Sequence, residues 1–112
     1  IRNLDIVPMR EALPLLIGTH DFRGFCQLVS GKPTIKTIFD ATLKETKKHY
    51  IFTFHGNSFL KYMVRSMMGT LIQIGLHRKP VSIITDILET KDRHLAGKTA
   101  EARGLFLVKI NY

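Results

Sequence analysis

The sequence predicts a single α+β domain of the α/β class, a mostly antiparallel sheet with helices packed on one face. Three observations lead there. Apolar residues recur at helical spacing in three stretches. Residues 34–45 and 49–55 alternate apolar and polar as strands do, with the turn-forming run "ETKK" between them. A last apolar stretch, "LFLVKINY", alternates again at the end of the chain.

The elements follow in order. Met9, Ala12, Leu13 and Leu16 share one face of a helix over about Asp5 to Ile17, with Pro8 in its first turn and Gly18 closing it. Pro14 lacks a donor and clashes with the preceding turn, so a kink or early end is expected there. Phe22 and Phe25 anchor a short extended segment, and Gly31 and Pro33 mark a turn. In the strand over 34–45, Ile35, Thr37, Phe39, Ala41 and Leu43 are expected inward. Lys36, Ile38, Asp40, Thr42 and Lys44 are expected on the other face. Tyr50, Phe52 and Phe54 share a face of the next strand, and the two strands form an antiparallel hairpin.

Asn57 or Ser58 is expected to cap the following helix. That helix carries Leu60, Met63, Val64, Met67, Met68, Leu71 and Ile74 inward, with Gly75 near its end. Another helix runs from Pro80 to Thr90 with Val81, Ile84, Ile87 and Leu88 inward. Residues 91–104 read as a polar loop. Phe106, Val108, Ile110 and Tyr112 form one face of the final strand.

The chain has 112 residues and is 45% hydrophobic and 23% charged, the profile of one globular domain spanning 1–112. One cysteine, Cys26, excludes an internal disulfide and suits a reducing cytosol, so a cytoplasmic location is expected. No apolar run is long enough to span a membrane. A net charge of +8 spread along the chain points to a polyanionic partner, with RNA or DNA ahead of an acidic membrane. The first residue is Ile1 and not methionine, so the chain is expected to be part of something longer.

Arg65 is the residue the pattern explains least. It lies with Lys61 on a shoulder of the apolar stripe, between Val64 and Met67, and no Asp or Glu occurs between Glu45 and Asp86. A guanidinium there either snorkels to water along its stem or waits for a carboxylate or phosphate from far along the chain. The histidines at 20, 49, 55, 77 and 94 are scattered and pair with Cys26 at no ligand spacing, so no metal site is expected. Nothing around Cys26 argues for a nucleophile, and the adjacent His20 and Asp21 need not face each other. The sequence has no phosphate-binding glycine loop, dinucleotide fingerprint or RNP-type aromatic motif. Basic residues of the polar loop, together with Arg23, Lys32 and Lys61, can form a phosphate-binding surface or simply a solvated one.

Three blocks, "GTHDFRGFC" at 18–26, "FHGNSFLKYMVRSMMGTLIQIG" at 54–75 and "ILETKDRHLAGKTAEARGLFLVKINY" at 87–112, together resemble the C-terminal half of the tRNA pseudouridine synthase A family. The resemblance implies a pseudouridine-synthase-like half domain. It also implies isomerisation of uridine to pseudouridine in the anticodon arm of tRNA, without cofactor or metal, by a homodimer. It makes Arg65 the active-site arginine that pairs with a catalytic aspartate, and Leu105 an apolar wall beside the target base. His20, Arg23, Lys61, Arg93 and Lys98 are the RNA-binding candidates.

The family's aspartate lies in a "GRTD-x-GVHA"-type motif of the other half, and no such motif occurs here. The active-site tyrosine also belongs there, so Tyr50, Tyr62 and Tyr112 do not inherit its role. Gly24 stands where a small polar residue is usual, Lys98 and Glu101 where prolines are common, and Pro14 is also a departure. The chain alone is therefore expected to be inactive. The alternative is a non-catalytic basic RNA-binding module.

Overall fold

The computed structural model describes residues 4–26, 31, 33–60, 62–96 and 106–111, with backbone alone for 106–108. Helix α1 (Ile6–Leu16) leads into strand β1 (Gly18–Asp21) and a 3₁₀ turn at Phe22–Phe25. Strands β2 (Ile35–Glu45) and β3 (Tyr50–Gly56) follow. Helices α2 (Met63–Gly75) and α3 (Ile83–Thr90), a second 3₁₀ turn at Arg93–Ala96 and strand β4 (Phe106–Asn111) complete the described chain. The sheet order is β1-β2-β3-β4. The first three strands are antiparallel neighbours, while β4 lies parallel to β3, with Tyr50 opposite Phe106 and Phe54 opposite Ile110. A parallel pair needs a crossover, and α2 and α3 supply it.

One cluster joins the layers. It takes Met9, Leu13 and Leu16 from α1, Ile38, Leu43, Phe52 and Phe54 from the sheet, and Met63, Met67, Leu71 and Ile74 from α2. Ile84 and Ile87 come from α3. The expected α+β arrangement, helices over one face of a mostly antiparallel sheet, is the one observed.

Four local expectations need correction. Pro14 does not end α1 at its own position; it sits exposed in the last turn, the helix runs on to Leu16, and Ile17 N–H closes it on the Pro14 carbonyl at 3.1 Å. So near the end, the missing donor leaves little of the helix unsupported. The start of α1 is conventional: Asp5 Oδ1 accepts from Val7 N–H at 3.0 Å. Phe22 and Phe25 are core anchors, both fully buried, but they belong to a 3₁₀ turn that follows the extended segment. Asp21 caps that turn through its carboxylate, which accepts from Arg23 N–H at 3.1 Å.

The third correction concerns β2. Its inward set switches parity: Ile38 is buried, then Ala41 and Leu43, while Ile35 and Phe39 are 60% and 55% exposed. A β-bulge explains the switch, since Ile38 pairs with Gly56 and Asp40 with His55, leaving Phe39 opposite nothing. Phe39 instead leans on the exposed face against the His55 ring, centroids 5.2 Å apart.

The fourth concerns helix starts. α2 begins at Met63, not at Asn57 or Ser58, and α3 begins at Ile83, with Pro80 and Val81 in the turn before it. The polar pair before α2 has another task. Asn57 N–H donates to the Thr37 carbonyl at 3.0 Å, and Asn57 Oδ1 accepts from Thr37 N–H at 3.1 Å and Ser58 N–H at 2.8 Å. This two-way bond ties the end of β3 to β2. Gly56 is required beside it, because a Cβ there would meet the Thr37 carbonyl oxygen at 2.9 Å.

Candidate active site and nucleic-acid interface

The buried stripe of α2 places the chemistry. Met63, Met67, Leu71 and Ile74 face the core, and Ser66 and Thr70 are buried too. Thr70 Oγ1 lies 3.0 Å from the Ser66 carbonyl and 2.9 Å from the Ala96 carbonyl, so the hydroxyl ties α2 to the second 3₁₀ turn. Ser66 Oγ is buried and has no hydrogen-bond partner among the described residues. With that face packed, Arg65 is carried outward on the first turn of the helix and is exposed. The sequence placed it half-buried on a shoulder; the turn is shorter and starts later than the pattern implied, and the guanidinium reaches solvent. Burial therefore does not by itself force a carboxylate onto it.

What the guanidinium does meet is an aromatic ring. Its central carbon lies 5.5 Å from the centroid of Tyr62. Tyr62 occupies the N-cap position of α2 in left-handed backbone, φ 63° and ψ 2°, and makes no side-chain cap bond. Its side chain is 41% exposed. Sequence reasoning passed over this residue. The usable signal was spacing, an aromatic three residues before an arginine at a helix start.

The other basic candidates divide into two places. Arg23 projects from the first 3₁₀ turn and is exposed; Arg93 projects from the second and is half-buried. Both act on the Cys26 thiol. Burial is the main influence and pushes that thiol up from its ordinary value, the Asp21 charge adds to this, and Arg93 and Arg23 oppose it. The fold thus brings these two arginines to one region, from positions seventy residues apart by number. Asp92 fixes the second turn: its carboxylate accepts from His94 N–H at 3.0 Å and contacts His94 Nδ1 at 3.1 Å. The His94 backbone bond, helped by the ring contact, holds the Asp92 carboxyl below its ordinary value.

His20 is half-buried on the edge strand β1. Its Nε2 lies 2.9 Å from the Ile17 carbonyl and its ring meets Phe22 edge-on at 5.6 Å. A partner for its ring nitrogen and a neighbour for its ring make it part of the packing at this corner. Leu105, Lys61 and Lys98 lie outside the described residues. Among the described residues no group of three or more His, Cys, Asp or Glu side chains could hold a metal ion. No helix among them is long and apolar enough to cross a membrane.

The described site is thus an α+β sheet of a basic chain with Arg65 exposed on the first turn of α2. Comparison with known proteins sharpens this. The family model described as tRNA pseudouridine synthase matches residues 12–112. Two curated relatives are named tRNA pseudouridine synthase A. The one from Streptococcus agalactiae serotype Ia is 49% identical over 107 residues, covering 93% of this chain and 42% of that protein. The one from Streptococcus equi subsp. zooepidemicus is 47% identical over 112 residues, covering 97% of this chain and 45% of that protein. A third of the same name, from Streptococcus pneumoniae strain P1031, is 47% identical with the same coverage. The chain belongs to the tRNA pseudouridine synthase family, and it spans less than half the length of the curated relatives it matches.

Proposed function

We propose that this chain is the C-terminal part of a tRNA pseudouridine synthase and supplies the arginine of an active site completed elsewhere in the enzyme. The observation that carries the reading is the placement of Arg65: a helix whose other faces are packed holds it at the surface, inside a block that resembles the family's "MVR" signature. The reaction breaks the bond between uridine N1 and the ribose C1′, joins C1′ to C5, and releases the C5 hydrogen to water. The target base must leave the helical stack to be reached. Arg65 pairs with a catalytic aspartate from outside this chain, keeping it ionised and oriented, since a neighbouring cation lowers a carboxylate's pKa.

Leu105 forms an apolar wall by the base. Arg23 and Arg93, with His20, Lys61 and Lys98, contribute to the surface that holds the tRNA backbone. The substrate is a uridine of the anticodon arm, the working enzyme is a cytoplasmic homodimer, and no cofactor or metal takes part.

The test is release of tritium from tRNA labelled at uridine C5. The 112 residues alone should release none, and mixing them with the N-terminal half of a full-length relative should restore release. Release by the chain alone would refute the division of the active site. No release in either case, with tight and salt-dependent tRNA binding, would favour a non-catalytic RNA-binding module.

A further inference from the structure

We propose that Tyr62 is a positioning residue for Arg65, its ring acting as a platform that fixes the plane of the guanidinium; this rests on the reading of Arg65 as the active-site arginine. Three observations converge. The guanidinium carbon lies 5.5 Å from the ring centroid, within the range of a cation–π contact. Tyr62 holds a left-handed backbone conformation that an L side chain adopts at a cost and that glycine adopts freely. The position asks for no side-chain cap, because Tyr62 makes no such bond. A large ring thus occupies a place where the backbone alone favours glycine and where capping gains nothing from it.

The geometry supplies a reason. Left-handed backbone at the helix entrance sets the direction of the Cα–Cβ bond, and that direction carries the ring beneath the side chain three residues on. An exposed arginine on a flexible stem samples many rotamers. Stacking the flat face of a guanidinium on a ring removes most of them and makes no use of the N–H edge. That edge is what a carboxylate needs for paired hydrogen bonds. Tyr62 therefore touches neither base nor ribose; it orders the group that orients the aspartate.

The test uses the full-length enzyme and four variants, read as kcat and KM on tRNA with the urea unfolding midpoint alongside. Arg65→Ala should abolish most turnover with the unfolding midpoint unchanged. Tyr62→Phe keeps the ring and should keep kcat within about twofold. Tyr62→Leu and Tyr62→Gly remove it and should lower kcat roughly three- to tenfold at unchanged KM. Tyr62→Gly is the sharp case, because relief of the backbone should leave the midpoint equal or higher while turnover falls. A merely structural tyrosine would give the reverse pattern.

Wild-type kcat in Tyr62→Gly beside a dead Arg65→Ala would overturn the inference and spare the reading of Arg65. Full turnover in Arg65→Ala would overturn both. A loss in Tyr62→Phe equal to that in Tyr62→Leu would assign the effect to the hydroxyl and overturn the role of the ring.

Discussion

Two stretches of this chain look equally like a functional signature, and the fold uses them in opposite ways. Residues 18–26 turn inward: Phe22 and Phe25 are fully buried, Cys26 nearly so, and Gly24 is pressed against α3. Residues 54–75 bury one long face of α2 but leave one charged side chain and one strained aromatic exposed at its start. In the first block a fixed pattern of residues is what packing demands. In the second, packing accounts for the buried stripe of α2 and not for the exposed pair at its start. A motif can therefore be specific for two different physical reasons, and only burial tells them apart.

Substitutions can break or sharpen this contrast. The largest expected effect is in the inward block. Phe25→Ala should cost about 3–5 kcal/mol, as truncation of a fully buried aromatic does, and a urea titration of the chain reads it directly. A loss under ~1 kcal/mol would mean that the block is not built for packing. Next comes Gly24→Ala. A Cβ there would meet Ile87 Cγ2 at 2.7 Å and the Ile87 carbonyl oxygen at 3.0 Å, so α3 itself must shift. The expected cost is about 1–3 kcal/mol by the same titration.

The smallest effects belong to the neighbouring hydroxyls of α2. Thr70→Val should cost about 1–2 kcal/mol by leaving the Ala96 carbonyl without its donor. Ser66→Ala removes a hydroxyl that is buried and has no partner among the described residues, so its midpoint should stay level or rise. Equal losses in the two variants would show that Ser66 has a role in holding α2 that its surroundings do not reveal.

Much of the architecture was legible because periodicity reports burial. The hairpin, the inward face of α1 and the apolar stripe of α2 were all readable, since each repeats the same signal over two or more turns or pleats. What was not legible was set by single residues. One unpaired phenylalanine reversed the parity of half of β2. The two-way bond between Asn57 and Thr37 took the residue that looked like a helix cap and used it to close the sheet. For the site, Arg65 was singled out because the apolar pattern left it unexplained, and it lies exposed on the first turn of α2. Its degree of burial was misjudged, because the helix begins five residues later than its apparent cap at Ser58. The left-handed backbone of Tyr62 stayed hidden because a positive φ in a non-glycine residue leaves no mark in composition, although its three-residue spacing from Arg65 was there to be read.

The bulge in β2 has a last consequence, which concerns length and not shape. Phe39 is the one residue between Ile38 and Leu43 that the pairing with β3 does not use. Without it, Ile38, Ala41 and Leu43 would fall on one face by plain alternation, and each would keep its present partner. The strand could therefore lose either Phe39 or Asp40 without turning any core side chain outward, whereas losing Ala41 would bring Asp40 to the core face and losing Thr42 would set Ala41 and Leu43 on opposite faces. Of these two silent losses, that of Phe39 would erase the aromatic surface shared with His55.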